Sequence, residues 1–225
     1  MKTGSGKPGP VLLSDAVRPR RTVAPSPAAG DARVLGRALV IGLALFAASA
    51  AGVARADEAV WSTLRAGGHV ILVRHASTEP GVGDPPHFKL GDCATQRNLS
   101  PVGREESTRL GAAFRSRGIP VDEVLSSEWC RCRDTAALAF GRYAGWAPLN
   151  SFFGDRSSEP AQTRAVRERI AGWKGPGNLV LVTHQVNISA VTGVFPAQGE
   201  MVVLKPGPAE KAEVVGRIVL DRSSN

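Results

Sequence analysis

Val70-Ile71-Leu72-Val73 runs without a polar break into Arg74-His75, and Leu179-Val180-Leu181-Val182 runs the same way into Thr183-His184. Gly67-Gly68 precedes the first run and Gly175-Pro176-Gly177 the second, so each is short, apolar and bounded by turn formers. Runs of this kind read as strands buried on both faces, as in a parallel sheet covered by helices. Each delivers a histidine at its carboxyl end. In open α/β sheets that end is where ligands bind, so both imidazoles should face one crevice.

The flanking segments supply the rest of an α/β alternation. Residues 57–66 (DEAVWSTLRA) read as a short helix. Ser100-Pro101 opens another, with Ser as cap and Pro in the first turn; it has Glu105 and Glu106 near its positive end and reaches about Arg117. Val121 to Leu125 is a strand ending in Ser126-Ser127, followed by a helix from Trp129 to about Arg142. A loop spans Pro148 to Pro160, a further helix Ala161 to Trp173, and Met201–Leu204 and Val214–Leu220 are strand-like. Strands alternating with helices give an α/β fold with a mostly parallel central sheet flanked by helices. The stretch from Thr78 to Cys93 is loop, dense in Gly, Pro and Asp.

Charge divides the chain of 225 residues. Residues 1–56 hold eight Lys/Arg against two acids, a net of +6, whereas residues 57–225 hold 20 basic and 18 acidic side chains, a net of +2. The high overall charge therefore belongs to the leader, and the foldable part gives no argument for a nucleic-acid partner. Basic residues, then Ala38 to Ala48 as an uncharged apolar run, then Ala54-Arg55-Ala56, make the layout of a secretory signal peptide. The expectation is cleavage after Ala56, a single domain over 57–225, and a periplasmic or secreted location. The rival is an uncleaved anchor. The uncharged stretch Ala38–Ala54 has 17 residues, at the short edge for a bilayer span, and only such a leader would bring the chain to a membrane. Three cysteines, Cys93, Cys130 and Cys132, then suggest one disulfide from Cys93 to either of the other two, with one thiol left over. Zinc is the weaker alternative, since no histidine stands at ligand spacing.

Arg74 beside His75, the Ser127-x-x-x-Arg131 segment after the next strand, and Arg97 before a helix entrance surround the two histidines with cations. Guanidinium forks match phosphoryl oxygens, and an imidazole can be a nucleophile toward phosphorus. Neither common Gly-rich nucleotide loop occurs, and no paired carboxylates accompany the histidines, so no cofactor or metal is implied.

Four blocks in order resemble the histidine phosphatase superfamily, branch 1, of phosphoglycerate-mutase-like fold. Leu72-Val73-Arg74-His75-Ala76 is similar to its R-H-G signature, and Arg97-Asn98-Leu99-Ser100-Pro101-Val102-Gly103 to its x-L-T/S-x-x-G block. Ser127 to Ala136 is similar to S-x-x-x-R-A-x-x-T-A, and Val180 to Gln185 to V-x-V-S/T-H-G. The resemblance implies a three-layer sandwich. It also implies His75 as a nucleophile that becomes phosphohistidine, Arg74 and Arg131 as phosphoryl clamps, His184 as the group completing the pocket, and Arg97 as a further phosphate contact. Arg133 is the rival to Arg131; the Thr135-Ala136 register favours Arg131. Ala76 and Gln185 replace family glycines, and Ser151 stands where mutase-like members place an acid Glu after a Leu. The general acid is then sought among Asp155, Glu159 and Asp84. The implied activity is a metal-independent phosphatase acting on a small-molecule or envelope phosphoester. The alternative is an envelope protein that retains the pocket only to bind a phosphorylated ligand.

Overall fold

The computed structural model describes residues 57–208 and 213–220; the leader expected over 1–56 lies outside the described residues. Residues 57–65 form α1, and Gly67 and Gly68, both with positive φ, end it. A side chain at Gly67 would meet the Pro176 carbonyl at 2.1 Å, so the turn closes tightly against the loop before a later strand. There follow β1 (Val70–Arg74), α2 (Pro101–Ser116), β2 (Val121–Ser126), α3 (Cys130–Phe140), β3 (Ala144–Gly145) and α4 (Glu159–Ala171). The chain continues with β4 (Asn178–Thr183), α5 (Gln185–Thr192), β5 (Met201–Lys205) and β6 (Glu213–Ile218).

The six strands form one sheet in the order β3-β2-β4-β1-β5-β6. β1, β2, β3 and β4 run parallel, β5 pairs antiparallel with β1, and β6 pairs antiparallel with β5. The two apolar runs that open the reading are central neighbours. Val70 pairs with Leu179 and Arg74 with Thr183, so His75 and His184 leave adjacent strands at the same level.

Alternation along these strands sorts the core into two layers. Ile71, Val73, Val180 and Val182 face α1, α2 and α3 through Trp61, Leu64, Leu110, Phe114 and Ala136. Val70, Leu72, Leu179 and Leu181 face α4 and α5 through Val166, Ile170, Ile188 and Val191. Helices thus cover both faces, which explains why β1 and β4 could be apolar throughout: every residue of β4 is buried. The fold is the expected three-layer α/β sandwich.

Two elements were not legible. α5 is a single eight-residue helix carrying Val186, Ile188, Val191 and Thr192, poor helix formers whose spacing does not outweigh their β preference; Gly193 in the left-handed region ends it. β3 is only two residues long. α4 begins at Glu159 rather than Ala161, with Pro160 in its first turn. Ser100 caps α2 as expected, accepting the Gly103 N–H at 3.1 Å. Glu106, however, does more than complement the helix dipole: its carboxylate accepts the Ser77 N–H (2.9 Å) and hydroxyl (3.0 Å), holding the chain just past His75.

α2 and α3 approach closely where Gly111 faces the backbone; a Cβ there would lie 2.0 Å from the Ala139 carbonyl oxygen. Gly111→Ala should cost about 1–3 kcal/mol through overpacking. Gly154→Ala, in open space, should change stability by less than about 0.5 kcal/mol. Urea denaturation of both variants beside the parent checks this.

Candidate functional site

The strand ends bring His75, His184, Arg74 and Arg131 together. The two imidazole centroids lie 5.4 Å apart, both side chains are buried, and Arg131 is buried beside them. Local hydrogen bonds fix each ring. The His75 N–H belongs to the ladder, donating to Thr183 O at 3.0 Å, and His75 Nδ1 lies 2.9 Å from the Ala76 carbonyl. A carbonyl only accepts, so Nδ1 carries the proton and Nε2 keeps its lone pair. Burial first, and then the charges of Arg131, Arg74 and Arg97, push the His75 pKa down to about 3; the Ala76 carbonyl opposes them in part. The ring is neutral at ordinary pH, as a nucleophile must be.

His184 is neutral for related reasons. Burial, His75 and the three arginines hold its pKa well below the usual range. Arg131 Nη2 lies 3.4 Å from His184 Nδ1, and an arginine can only donate, so Nδ1 is the acceptor. Nε2 then bears the proton and donates to Ser127 Oγ at 2.9 Å; Ser127 in turn donates to Asn150 Oδ1 at 3.0 Å. Asn150 Nδ2 donates to Glu128 at 2.8 Å. Cys132 Sγ approaches the same Nε2 at 3.4 Å, and burial pushes its thiol up to about 12, so it remains protonated.

Arg131 is held on several sides. Its guanidinium lies 4.4 Å from the Trp129 ring centroid, and its backbone carbonyl accepts the Thr135 hydroxyl at 2.7 Å. Thr135 Oγ1 also accepts the Ala76 N–H at 3.1 Å, which ties the nucleophile's strand end to α3. Arg133 turns away toward the Tyr143 hydroxyl at 3.2 Å, so the geometry separates the two arginines that the sequence left in competition. Arg74 donates to the Pro196 carbonyl at 2.8 Å. Arg97 lies close enough that its charge lowers the pKa values of Arg74, Arg131 and both histidines. The Nε atoms of Arg74, Arg97 and Arg131 are buried without a hydrogen-bond partner among the described residues.

The three candidate acids part company. Asp84 is bound to the cluster: its carboxylate accepts from Arg131 Nη1 at 2.8 Å and Nη2 at 3.3 Å, and from the Arg97 N–H at 3.4 Å. Asp155 caps its own turn, where the Ser157 N–H at 2.9 Å holds its carboxyl below the usual range. Glu159 pairs with Arg156 at 2.7 Å. Neither touches the histidines or the three clustered arginines among the described residues.

A disulfide joins Cys93 to Cys130 and leaves Cys132 as the buried free thiol. α3 explains the choice. Residues two apart on a helix point to opposite sides, so Cys130 meets the loop while Cys132 faces His184. The bridge staples the loop carrying Asp84 and Arg97 to the start of α3. Gln96 reinforces it, with Oε1 accepting the Cys130 N–H at 2.9 Å.

Residues 70–150 match the family model of the histidine phosphatase superfamily, branch 1. Over those residues the chain is similar to that superfamily. A stretch of 69 residues is 39% identical to a broad-specificity phosphatase of Saccharomyces cerevisiae, covering 31% of this chain and 28% of that protein. The match thus spans little more than a quarter of the relative's length. Among solved structures, the protein histidine phosphatase SixA complexed with tungstate is similar at 12% identity, over 67% of this chain and 96% of that one, with a TM-score of 0.46. A phosphoglycerate mutase from Thermus thermophilus is similar at 20% identity, over 68% and 99% of the two chains, again with a TM-score of 0.46.

Ser127, Asn150, Gln96 and Glu106 support this domain's pocket but were not singled out from sequence. Ser127 stands inside a recognisable block, so its signal was present; the other three are joined to the pocket only by the fold.

Two outcomes follow from the electrostatics. Both histidines titrate lower folded than unfolded, so below the unfolded value of about 6.5 the unfolded chain binds more protons. Stability should fall as pH drops from about 6.5 toward about 3, and His184→Asn should flatten that fall, read from urea midpoints at several pH values. Asp84→Asn should bind orthophosphate more tightly, on the order of ten-fold, because the anion no longer competes with a carboxylate for Arg131; calorimetry measures it.

Proposed function

We propose that the chain is a metal-independent phosphatase that hydrolyses a phosphomonoester through a phosphohistidine on His75. The observation that carries this reading is the state of His75. It is a buried neutral imidazole with its proton fixed on Nδ1 by the Ala76 carbonyl, its Nε2 lone pair free, and cations on several sides. The superfamily match and the partial likeness to a named phosphatase support the reaction class.

The incoming phosphoryl oxygens replace Asp84 on the Arg131 fork and engage Arg74 and Arg97. Their negative charge offsets the repulsion among the three guanidiniums. It also offsets the arginine charges that add to burial in disfavouring a proton on His184, whose Nδ1, once protonated, donates to a phosphoryl oxygen. The His75 Nε2 lone pair forms the bond to phosphorus as the bond to the leaving oxygen breaks. The displaced Asp84 carboxylate, having taken a proton from solvent on leaving Arg131, gives it to the leaving oxygen. As carboxylate it then takes a proton from the water that attacks phosphorus, which releases orthophosphate and returns neutral His75.

Exported action belongs to the same proposal. The basic, apolar, A-x-A order of the leader supports it, and a disulfide beside the pocket suits an oxidising compartment. Substrates would then be extracytoplasmic phosphoesters, with the mature chain beginning at Asp57.

The test is hydrolysis of an aryl phosphate in EDTA by the full chain. Turnover should vanish in His75→Ala, and an acid-labile, base-stable phosphoryl label should be trapped on the parent after rapid quench. Asp84→Asn should lower kcat on alkyl phosphates by about 10²–10⁴-fold, but far less on an aryl phosphate whose leaving group needs little protonation. Tight orthophosphate binding with no turnover and no trapped label would leave a binding protein.

A further inference from the structure

Large apolar side chains exposed to solvent gather at the catalytic end of the sheet. Phe153 is 81% exposed and Phe195 72%, well above most exposed apolar side chains of the described residues. Both stand next to the pocket along the chain. Phe195 precedes Pro196, whose carbonyl holds the Arg74 guanidinium at 2.8 Å. Phe153 lies three residues past Asn150, which accepts from Ser127, the partner of His184. Phe88 and Val82 belong to the loop that carries Asp84. The Phe88 ring lies 4.3 Å from Trp129, which itself lies 5.9 Å from His184, and the Val82 carbonyl accepts from Arg97 at 3.3 Å. Val102 opens α2 one residue before Gly103, whose Cα approaches the Ser77 carbonyl just beyond the nucleophile.

The opposite ends of the parallel strands differ. The turns at 67–69, 117–120 and 174–177 carry no large exposed apolar side chain among the described residues. The remaining exposed apolar residues, Val214, Val215 and Val219, belong to the edge strand β6 and the residues after it. Isolated surface hydrophobes need no explanation, but four separate segments presenting them around one anion site do. Phe153 and Phe195 gain nothing for the fold where they stand.

We infer that the substrate's leaving group is a long apolar chain: an alkyl phosphomonoester whose phosphoryl group enters the arginine cradle while its hydrocarbon lies across Phe153 and Phe195. This rests on the phosphate reading of the cradle and adds the identity of what the phosphate is attached to. The cradle fixes one end of the ligand. The atoms beyond the leaving oxygen must then cross the rim, where Phe153 and Phe195 present exposed aromatic faces. A small polar leaving group would leave both rings in water, whereas a hydrocarbon chain would cover them.

The test compares ethyl- and octylphosphonate, which cannot be hydrolysed, by calorimetry on the full chain below micelle-forming concentrations. Octylphosphonate should bind tighter by on the order of thirty-fold, as partial burial of six further methylenes requires. In the Phe153→Ser/Phe195→Ser double variant the ratio should shrink to under about five-fold, with ethylphosphonate affinity and ethyl phosphate turnover unchanged. Equal binding of the two phosphonates by the parent overturns the inference and leaves the phosphatase standing. A ratio that survives the double variant overturns the assignment to these two rings. Failure to bind either phosphonate, with no turnover of an aryl phosphate, overturns the phosphatase reading and this inference with it.

Discussion

Mutual repulsion among Arg74, Arg97 and Arg131 is the constraint around which the pocket is arranged. Three guanidiniums sharing one crevice with two buried imidazoles oppose one another, and burial adds to the cost. The fold relieves this in two ways. Both histidines stay neutral, and the Asp84 carboxylate closes on Arg131 with both oxygens. In the proposed reaction an arriving dianion takes the place of the Asp84 carboxylate on the Arg131 fork.

Such a cluster survives only if the backbone beneath it cannot relax, and the sheet provides that. β1 and β4 pair along five successive positions, and the layers above and below them are closed by helices on both faces. The histidines stand one residue past the last pairing. Movement of either would have to break the ladder bond from the His75 N–H to Thr183 O. Arg131 is placed differently, from the first turn of α3, and is secured by Thr135 from within the helix and by the Cys93–Cys130 bridge from outside. The loop carrying Asp84 has no such sheet contact. Its anchors are the bridge, Gln96, and the Phe88 ring on Trp129. That difference in support matches the proposed roles of three groups: Arg74 and Arg131 stand on a strand end and a helix, and Asp84, which must move off Arg131, sits on a loop.

What could be read without the structure follows the same physics. The two central strands and their terminal histidines were legible because burial on both faces forces an uninterrupted apolar run. Choosing Arg131 over Arg133 needed only the Thr135-Ala136 register, and the fold separates them as that register implied. The disulfide partner of Cys93 was open until α3 set Cys130 and Cys132 on opposite sides. Among the acids, nothing local marks Asp84. It lies in a Gly-Pro-Asp loop, 47 positions from Arg131, and only tertiary contacts between that loop and α3 bring the two together. Asp155 and Glu159 lie just past the position of the mutase-like acid but serve the turn and helix start in which they occur.

The exposed phenylalanines bear on the leaving group from another direction. An alkoxide is a poor leaving group, so a phosphatase acting on an alkyl ester needs a proton donor at the scissile oxygen. An aryl ester or an anhydride would not. The apolar rim would suit an alkyl chain, and in the proposed reaction Asp84, protonated once it has left Arg131, would be the donor, since Ser151 occupies the usual mutase-like position. Phe153 and Phe195 are far from Asp84 in sequence, yet an apolar rim and a proton donor would each make chemical sense of the other. A site that offers hydrocarbon contact must also protonate an alkoxide, and the one carboxylate of the three candidates that reaches the arginine cluster is on the same loop as Phe88.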